Sequence, residues 1–556
     1  MTAGGTHGAT AAPVDPPLRA AAEAWLAEDP DPVTRAELRE LLDTGATEEL
    51  ADRFAGRLTF GTAGLRGALG AGPNRMNRAV VLRAAAGLAG FLRSAGRSAR
   101  PVVIGYDARH GSARFARARA EVLAGAGLDA LLLPEPLPTP VLAFAVRHLD
   151  AAAGVMVTAS HNPPGDNGYK VYLGGSDDAG GSGDSDGGAQ VAPPADARIE
   201  AAIGAVGRLA DVPRSVAYTV LDSGVTEAYL DAVAALPATP HRRIRIAYTP
   251  LHGVGGALTL AALERAGFDR PDVVAEQFAP DPDFPTVAFP NPEEPGAMDR
   301  VLALAARTGA DLVIANDPDA DRCAVACGGR TLRGDEVGAL LADAALSRGV
   351  TGTFATTVVS SSLLRAMCAA HGQPYAETLT GFKWIVRAAR DLVFGYEEAL
   401  GYAVAPDLVR DKDGISAALL VAELAATLRA QGRTLLDRLD ELACQYGLHA
   451  TDQLSVRVTD LGLIGAAMAR LRAAPPDRLA DQPVSRVDDR LPEADVLTLR
   501  ADGCRVVVRP SGTEPKLKAY LEAVVRVSGG DVTAARSTAA TRLAALRTQI
   551  SAALGL

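Results

Sequence analysis

Residues 154–170 read Gly154-Val155-Met156-Val157-Thr158-Ala159-Ser160-His161-Asn162-Pro163-Pro164-Gly165-Asp166-Asn167-Gly168-Tyr169-Lys170. The apolar run 153–157 predicts a short buried strand. It breaks into a Ser-His-Asn-Pro-Pro-Gly cluster that continues neither strand nor helix. A hydroxyl is thereby set at the end of a rigid element, on a loop whose course two prolines restrict. That is how a chain presents a nucleophile. These residues alone fit an ordinary Pro/Gly turn with a capping serine equally well, so the neighbouring sequence has to decide.

Upstream, a helix is expected over 78–94, a strand over 102–106 and a loop over 107–111. A helix (112–126), a strand (128–133) and a helix (139–148) then lead into the opening stretch. This βαβαβ order predicts a sheet with helices on its faces and functional loops at strand ends. The unit recurs as strand, small-residue loop and helix at 243–266, with the loop Thr249-Pro250-Leu251-His252-Gly253-Val254-Gly255-Gly256, and at 353–371, with Ser360-Ser361-Ser362. The last hundred residues differ: a strand at 453–458, strands at 495–500 and 504–508, and a terminal helix. The expected fold is three related α/β domains, with mixed sheets flanked by helices, plus a C-terminal α+β domain, around a central cleft. The expected partition is an N-terminal extension and helices (1–58), domains at 59–222, 223–330 and 331–448, and a fourth at 449–556. Residues 1–17 read as disordered. Residues 174–194 are rich in Gly and Asp and read as a mobile acidic insertion. It could lie over Lys170 as a lid, although a tolerated surface insertion is the more economical reading.

Totals narrow the function. A chain of 556 residues predicts about three to four domains. Only 4% of residues are aromatic, so Ala, Leu and Val must build the cores. A net charge of −10 argues against nucleic acid as a partner, yet leaves room for a local cluster of cations around a phosphorylated substrate. Five sparse cysteines, with only Cys323 and Cys327 near one another, make a poor zinc signal and fit a reduced cytoplasm. No run approaches ~18 apolar residues and no leader pattern opens the chain, so neither a membrane span nor a signal peptide is expected. Of 56 basic residues only five are Lys: Lys170, Lys383, Lys412, Lys516 and Lys518. A chain this biased toward Arg keeps Lys where a compact titratable ammonium is needed. All five are expected in functional loops.

Three further stretches carry chemistry. Ala315-Asn316-Asp317-Pro318-Asp319-Ala320-Asp321-Arg322 follows a predicted strand and places three carboxylates on a tight loop, a hard-oxygen set suited to Mg²⁺. Arg322 beside it is a candidate anion contact. Val508-Arg509-Pro510-Ser511-Gly512-Thr513-Glu514-Pro515-Lys516 offers hydroxyls, open backbone N–H groups and a guanidinium, an anion cradle without nucleotide-binding spacing. Gly395-Tyr396-Glu397-Glu398-Ala399-Leu400-Gly401 sets paired carboxylates between glycines, able to accept from sugar hydroxyls. No G-x-S-x-G elbow supports a serine hydrolase. Phosphoryl transfer needs in-line geometry, a metal and cations around the moving charge. With no nucleotide site, the phosphoryl donor must be the enzyme or its substrate.

In this order, spread over residues 55–525, the motifs resemble the α-D-phosphohexomutase superfamily (phosphoglucomutase/phosphomannomutase). Thr62-Ala63-Gly64-Leu65-Arg66-Gly67, the TPLHGVG and TGFKW stretches and GYEEALGY look most like its phosphoglucomutase-2/phosphopentomutase branch. The resemblance implies a mutase interconverting sugar 1-phosphate and 6-phosphate, of glucose and/or mannose, through an enzyme phosphoserine and a bisphosphorylated sugar. A phosphopentomutase or a glucose 1,6-bisphosphate synthase is the alternative. Ser160, Lys170, Arg66 and His161 form the expected catalytic set. Ser160, Asp317, Asp319 and Asp321 would hold Mg²⁺, with sugar 1,6-bisphosphate as activator. Lys383, Glu397, Glu398, Arg509, Ser511, Gly512, Thr513 and Lys516 would bind substrate. Two departures stand out: Ala399 lies where many hexomutases have Ser, and the 174–190 insertion precedes Gly188-Ala189-Gln190-Val191, which the branch places much closer to Lys170.

Overall fold

Val102–Tyr106 carries no charged residue, and in the computed structural model all five of its residues are buried. That unbroken apolar run is what a central parallel strand covered on both faces requires. The structure describes residues 14–59, 64–175, 187–458, 460, 462–511 and 516–555. They fall into two units, one up to Val225 with Pro280–Phe289, the other Thr226–Ala279 with Pro290 onward.

In the first unit the strands run Leu65–Ala68, Asp166–Leu173, Ala153–Val157, Val102–Tyr106, Ala130–Leu132, Thr219–Val220 across one sheet. The last four are mutually parallel and Asp166–Leu173 is antiparallel to both of its long neighbours. Arg78–Ser94 and Ser112–Gly125 close one face with Ala, Leu, Val and Phe. Asn77 caps the first of these by accepting from Val80 N–H at 3.0 Å. The helices expected before residue 58 are present as Pro16–Glu28, Pro32–Thr44 and Thr47–Arg53.

The second unit holds three sheets. One runs Arg330–Thr331, Ala324–Cys327, Leu312–Ala315, Ile246–Thr249, Asp272–Val273. Another runs Tyr375–Thr378, Thr353–Thr357, Leu392–Glu397, Gly401–Ala403. The last is antiparallel throughout: Leu448–Arg457, Lys516–Val525, Cys504–Pro510, Leu497–Ala501, Gln482–Asp489, Arg478–Leu479. Together with the first unit's sheet this is a four-domain α/β architecture of mixed sheets flanked by helices, with a distinct C-terminal sheet. Among the described residues no helix is long and apolar enough to cross a membrane.

One expectation fails for a physical reason. Lysines are not confined to loops: Lys170 lies in Asp166–Leu173, Lys516 and Lys518 in Lys516–Val525, and Lys383 in the short helix Phe382–Ile385. Asp166–Leu173 escaped notice because its polar residues face inward; Asn167 and Lys170 are both buried. The acidic insertion has described ends only. Its return strand Ala189–Gln190 pairs with Leu173 and Tyr172. The insertion therefore roots at the end of the strand away from the Ser160 loop, seven residues or roughly 23 Å from Asp166. Residues 176–186 lie outside the described part.

Candidate functional site

Each α/β sheet ends in the same device, a central strand that turns back into an antiparallel neighbour. In the first unit that turn is 158–165, between Ala153–Val157 and Asp166–Leu173, and Ser160 occupies it with φ +52°. Left-handed backbone at a non-glycine residue is costly and persists only where its surroundings impose it. Here they do. Ser160 N–H donates to Thr158 Oγ1 at 2.8 Å, and Arg109 reaches in from the loop after Val102–Tyr106. Its guanidinium donates to the carbonyls of Ser160 (2.6 Å), Asn162, Pro163 (2.8 Å) and Asp166 (3.3 Å). Asp107 supports it from below, with a carboxylate oxygen 3.6 Å from Nε, and the Phe284 ring lies 4.9 Å beneath it. Burial pushes the Asp107 carboxyl up, against the pull of Arg109 and of the Ser112 hydroxyl.

Ser160 is buried, with its Oγ 3.2 Å from His161 Nδ1. Arg66 Nη1 lies 3.5 Å from Asn162 Oδ1, and Lys170 is buried opposite Met156 in the adjoining ladder. Ser160 and His161 thus share one turn, Arg66 meets it at Asn162 from Leu65–Ala68, and Lys170 lies in the strand that leaves it. Arg109 was not foreseen. Its only sequence signal is its place in a loop that follows a central strand.

In the second unit the corresponding turn joins Leu312–Ala315 to Ala324–Cys327. Asp317, Asp319 and Asp321 are all buried there, with one oxygen of each within 4.8 Å of the others. Ala320 supplies the left-handed residue, φ +53°. The turn is fixed by neutral donors: Arg322 N–H donates to Asp317 Oδ1 (3.0 Å), the Asn316 side-chain Nδ2 to Arg322 O (2.7 Å) and Gly414 N–H to Ala320 O (3.2 Å). The TPLHGVG loop forms its seat. Leu251 and His252 are both left-handed (φ +48° and +59°), and Val254 N–H donates to Pro318 O at 2.9 Å. A Cβ on Gly253 would stand 2.4 Å from Pro318 Cα, so only glycine allows this approach. Three buried carboxylates in such reach are a hard-oxygen donor set that fits a divalent cation of the Mg²⁺ class.

Cations rim this loop. Lys412 Nζ lies 3.2 Å from Asp321 and 3.6 Å from Asp411. Burial works against its charge, but Asp321, Asp411 and Glu397 outweigh it and hold the ammonium protonated. Lys412 was among the five rare lysines, yet nothing local in its sequence placed it beside the aspartates. Arg322, expected as an anion contact, is ion-paired with Glu293 at 3.3 Å. Arg322 and Gly401 form an isolated β-bridge, which joins the aspartate turn to the third one at Glu397–Gly401. There Leu400 is left-handed (φ +65°), and burial lifts the Glu397 carboxyl to about 7 against the opposing pull of Lys412 and Arg322. Lys383, buried, lies over the Trp384 ring at 5.5 Å, and Lys412 over the neighbouring Phe382 ring at 5.3 Å.

The anion cradle sits at one end of the C-terminal sheet. Arg509 faces Lys518 across the ladder, and Ser511 N–H donates to Lys516 O at 2.8 Å. Gly512 and Thr513 lie outside the described residues. Between the cradle and Glu398 stands Tyr520, whose phenol pKa is raised by burial and by Glu398 and lowered by Arg509.

Comparison with known proteins adds four sequence matches in chain order. They are the phosphoglucomutase/phosphomannomutase alpha/beta/alpha domains I (residues 57–205), II (227–330) and III (333–446), and the C-terminal domain (454–532). A probable phosphomannomutase of Haemophilus influenzae is 47% identical over 462 residues, 81% of this chain and 93% of its own. A mouse phosphopentomutase is 33% identical over 571 residues, 90% of this chain and 89% of its own. The crystal structure of a putative phosphomannomutase from Thermus thermophilus is similar with a TM-score of 0.71 at 28% identity, covering 89% of this chain and 99% of that one.

Proposed function

The chain belongs to the phosphoglucomutase/phosphomannomutase family and is a sugar-phosphate mutase, an isomerase; on that premise we propose that Ser160 carries the phosphoryl group this enzyme gives to its substrate and takes back. The observation that carries the reading is the imposed left-handed conformation of a buried serine, in a turn that one guanidinium grips through four carbonyls, the serine's own among them. Backbone strain stored at one residue and supported from several sides is the mark of a group whose position matters to chemistry.

Phospho-Ser160 transfers its phosphoryl group to the free hydroxyl of a hexose 1- or 6-phosphate. The serine P–O bond breaks as the P–O bond to the sugar forms, and the hydroxyl proton leaves to a base. The bisphosphate turns around, and its other phosphate returns to Ser160, so no phosphate is consumed. His161, 3.2 Å from Oγ, holds the proton of the free Ser160 hydroxyl between the two half-reactions. Lys170 and Arg66 supply positive charge for the oxygens in flight. Glu397 and Glu398 accept from sugar hydroxyls, Lys383 joins them in binding the substrate, and Arg509, Ser511, Gly512, Thr513 and Lys516 hold the phosphate that is not reacting. Asp317, Asp319 and Asp321 would hold Mg²⁺, which when bound offsets phosphoryl charge. A trace of sugar 1,6-bisphosphate primes the cycle by phosphorylating Ser160.

Glucose and mannose phosphates are the proposed substrates. Pentose phosphates are the second reading, favoured by Ala399, which removes the hydroxyl that many hexomutases place in that loop. Turnover with glucose, mannose, ribose and glucosamine 1-phosphates, each with trace bisphosphate, separates them. The proposal expects a hexose phosphate to lead, and a clear lead for ribose 1-phosphate would replace it with the second reading.

A further inference from the structure

Ser360-Ser361-Ser362 follows the strand Thr353–Thr357 and takes no part in the chemistry above, yet all three side chains are engaged. Thr357 Oγ1 and Ser360 Oγ each lie 3.1 Å from Oε2 of Glu398, and 2.8 Å from one another. The hydroxyls of Ser361 and Ser362 lie 3.0 Å from Oε1 of Glu522, which also accepts Ser362 N–H at 2.7 Å. The other Glu522 oxygen accepts from Arg505 Nε at 2.9 Å, and Arg505 faces Glu522 directly across the ladder. Arg505 then donates to the carbonyls of Val358 (3.0 Å) and Ser360, closing a ring around the loop. Arg505 and Glu522 are 6% and 3% exposed, so neither has water to replace a lost partner. Burial pushes the Glu522 carboxyl up, but Arg505 and the hydrogen bonds outweigh it and hold it at about 2.

The same sheet face carries the cradle. Successive pairs along it are Arg505 with Glu522, Val507 with Tyr520, and Arg509 with Lys518. Four residues separate Arg505 from Arg509, roughly 14 Å. Val507 and Tyr520 pack against Val358 and Val359 between them. One rigid face is thus tied at one end to the loop that holds Glu398 and ends at the other in the phosphate cradle.

We propose that Thr357, Ser360 and the Arg505–Glu522 pair are positioning residues for sugar recognition. Two hydroxyls fix one oxygen of Glu398 from behind and present the other to the sugar. The ion pair locks that loop to the sheet, so the distance between the gripped phosphate and the hydroxyl reader is built into the fold. Discrimination among sugars then depends on residues that touch no sugar. The inference rests on the proposed role of Glu398 as a sugar contact.

The test compares Glu398→Gln with the double variant Thr357→Val/Ser360→Ala in the full chain. The double variant is expected to raise KM for the preferred sugar 1-phosphate about tenfold, the equivalent of one lost hydrogen bond. Its kcat should change little, the signature of lost binding common to ground and transition states. Its preference between glucose and mannose 1-phosphates should narrow, and Thr357→Ser should behave as wild type. Wild-type KM in Glu398→Gln would remove the reading underneath. Raised KM in Glu398→Gln with wild-type KM and preference in a double variant of unchanged melting temperature would overturn the inference alone. Arg505→Lys keeps the charge but loses the fork, and the same shift in preference is expected from it.

Discussion

The turn that carries Ser160 and the turn that carries Asp317, Asp319 and Asp321 are built alike and held by opposite means. Each leads from a central parallel strand into an antiparallel neighbour, and each contains one non-glycine residue in left-handed backbone, at φ +52° and +53°. The serine turn is held by a buried cation, Arg109, reaching its carbonyls. The aspartate turn is held from behind by neutral backbone donors, with Lys412 and Arg322 at its rim. The difference follows the charge that each turn serves. On the proposed reading Ser160 carries a dianion during turnover, and a cation behind its turn suits that charge. Concentrated negative charge suits a turn that keeps a resident cation, and rim cations limit the repulsion among its carboxylates.

The sharpest way to break this contrast is to remove each turn's reactive group. Ser160→Ala is expected to abolish mutase turnover and covalent phosphorylation while lowering divalent-ion affinity far less than the loss of an aspartate does. Asp319→Asn should lower that affinity without preventing Ser160 from being phosphorylated by added sugar bisphosphate at saturating metal. Coupled turnover, intact-protein mass and metal titration read these outcomes, and equal effects of both variants on metal affinity would refute the division of labour. Next in size is Arg109→Met, which takes the clamp from four carbonyls and leaves Asp107 buried without its cation. Displacement of Ser160 by an ångström predicts about a 100-fold fall in kcat/KM, with metal affinity unchanged. Gly253→Ala addresses the opposite turn by forcing Pro318 away. Metal affinity should fall about tenfold, as for loss of a supporting contact behind a ligand, and a wild-type titration would show that the seat does not position the aspartates.

The smallest effect concerns the third turn and the charges behind it. Burial lifts Asp335 to about 7, against the hydrogen bond from Ser361 N–H, whereas Glu522 is held at about 2. A carboxyl with a raised folded pKa keeps a proton that the unfolded chain has released. Asp335 therefore costs stability as pH climbs from about 4 to 7. Glu522 has the opposite sign: its contribution is present above about 4.5 and is lost as pH falls toward 2. Asp335→Asn should flatten the decline in melting temperature between about pH 4 and 7. Glu522→Gln should melt lower at pH 7, with a deficit that shrinks below pH 4.5. Parallel pH profiles for the two variants would contradict this account of the charges.

Much of this was legible in the sequence because the signals are local. The helices Arg78–Ser94 and Thr139–His148 and the strands Val102–Tyr106 and Ala153–Val157 have the expected bounds, since apolar periodicity and flanking turn residues mark both ends. Ser160 and the three aspartates stood out because each follows such a strand. What escaped notice depends on partners distant in sequence. Lys516–Val525 is rich in Lys, Leu, Ala and Glu, which favour helices, and it is a strand because two neighbours pair with it. Arg109 acquires its role only when the Ser160 turn folds over it, and Lys412 only when its loop reaches Asp321. The serine run reads in sequence only as a small-residue loop, and its acceptor Glu522 lies about 160 residues further on.

The central claim is that Ser160 is the residue through which phosphate passes. Its most direct test is to expose the full-length protein to sugar 1,6-bisphosphate with labelled phosphate and Mg²⁺, map the labelled peptide, and chase with unlabelled sugar 1-phosphate. The account predicts label on Ser160 alone, chased into sugar bisphosphate and sugar monophosphate at a rate that supports turnover. Stable label elsewhere, on Asp317 above all, or turnover without any label on Ser160, would contradict it.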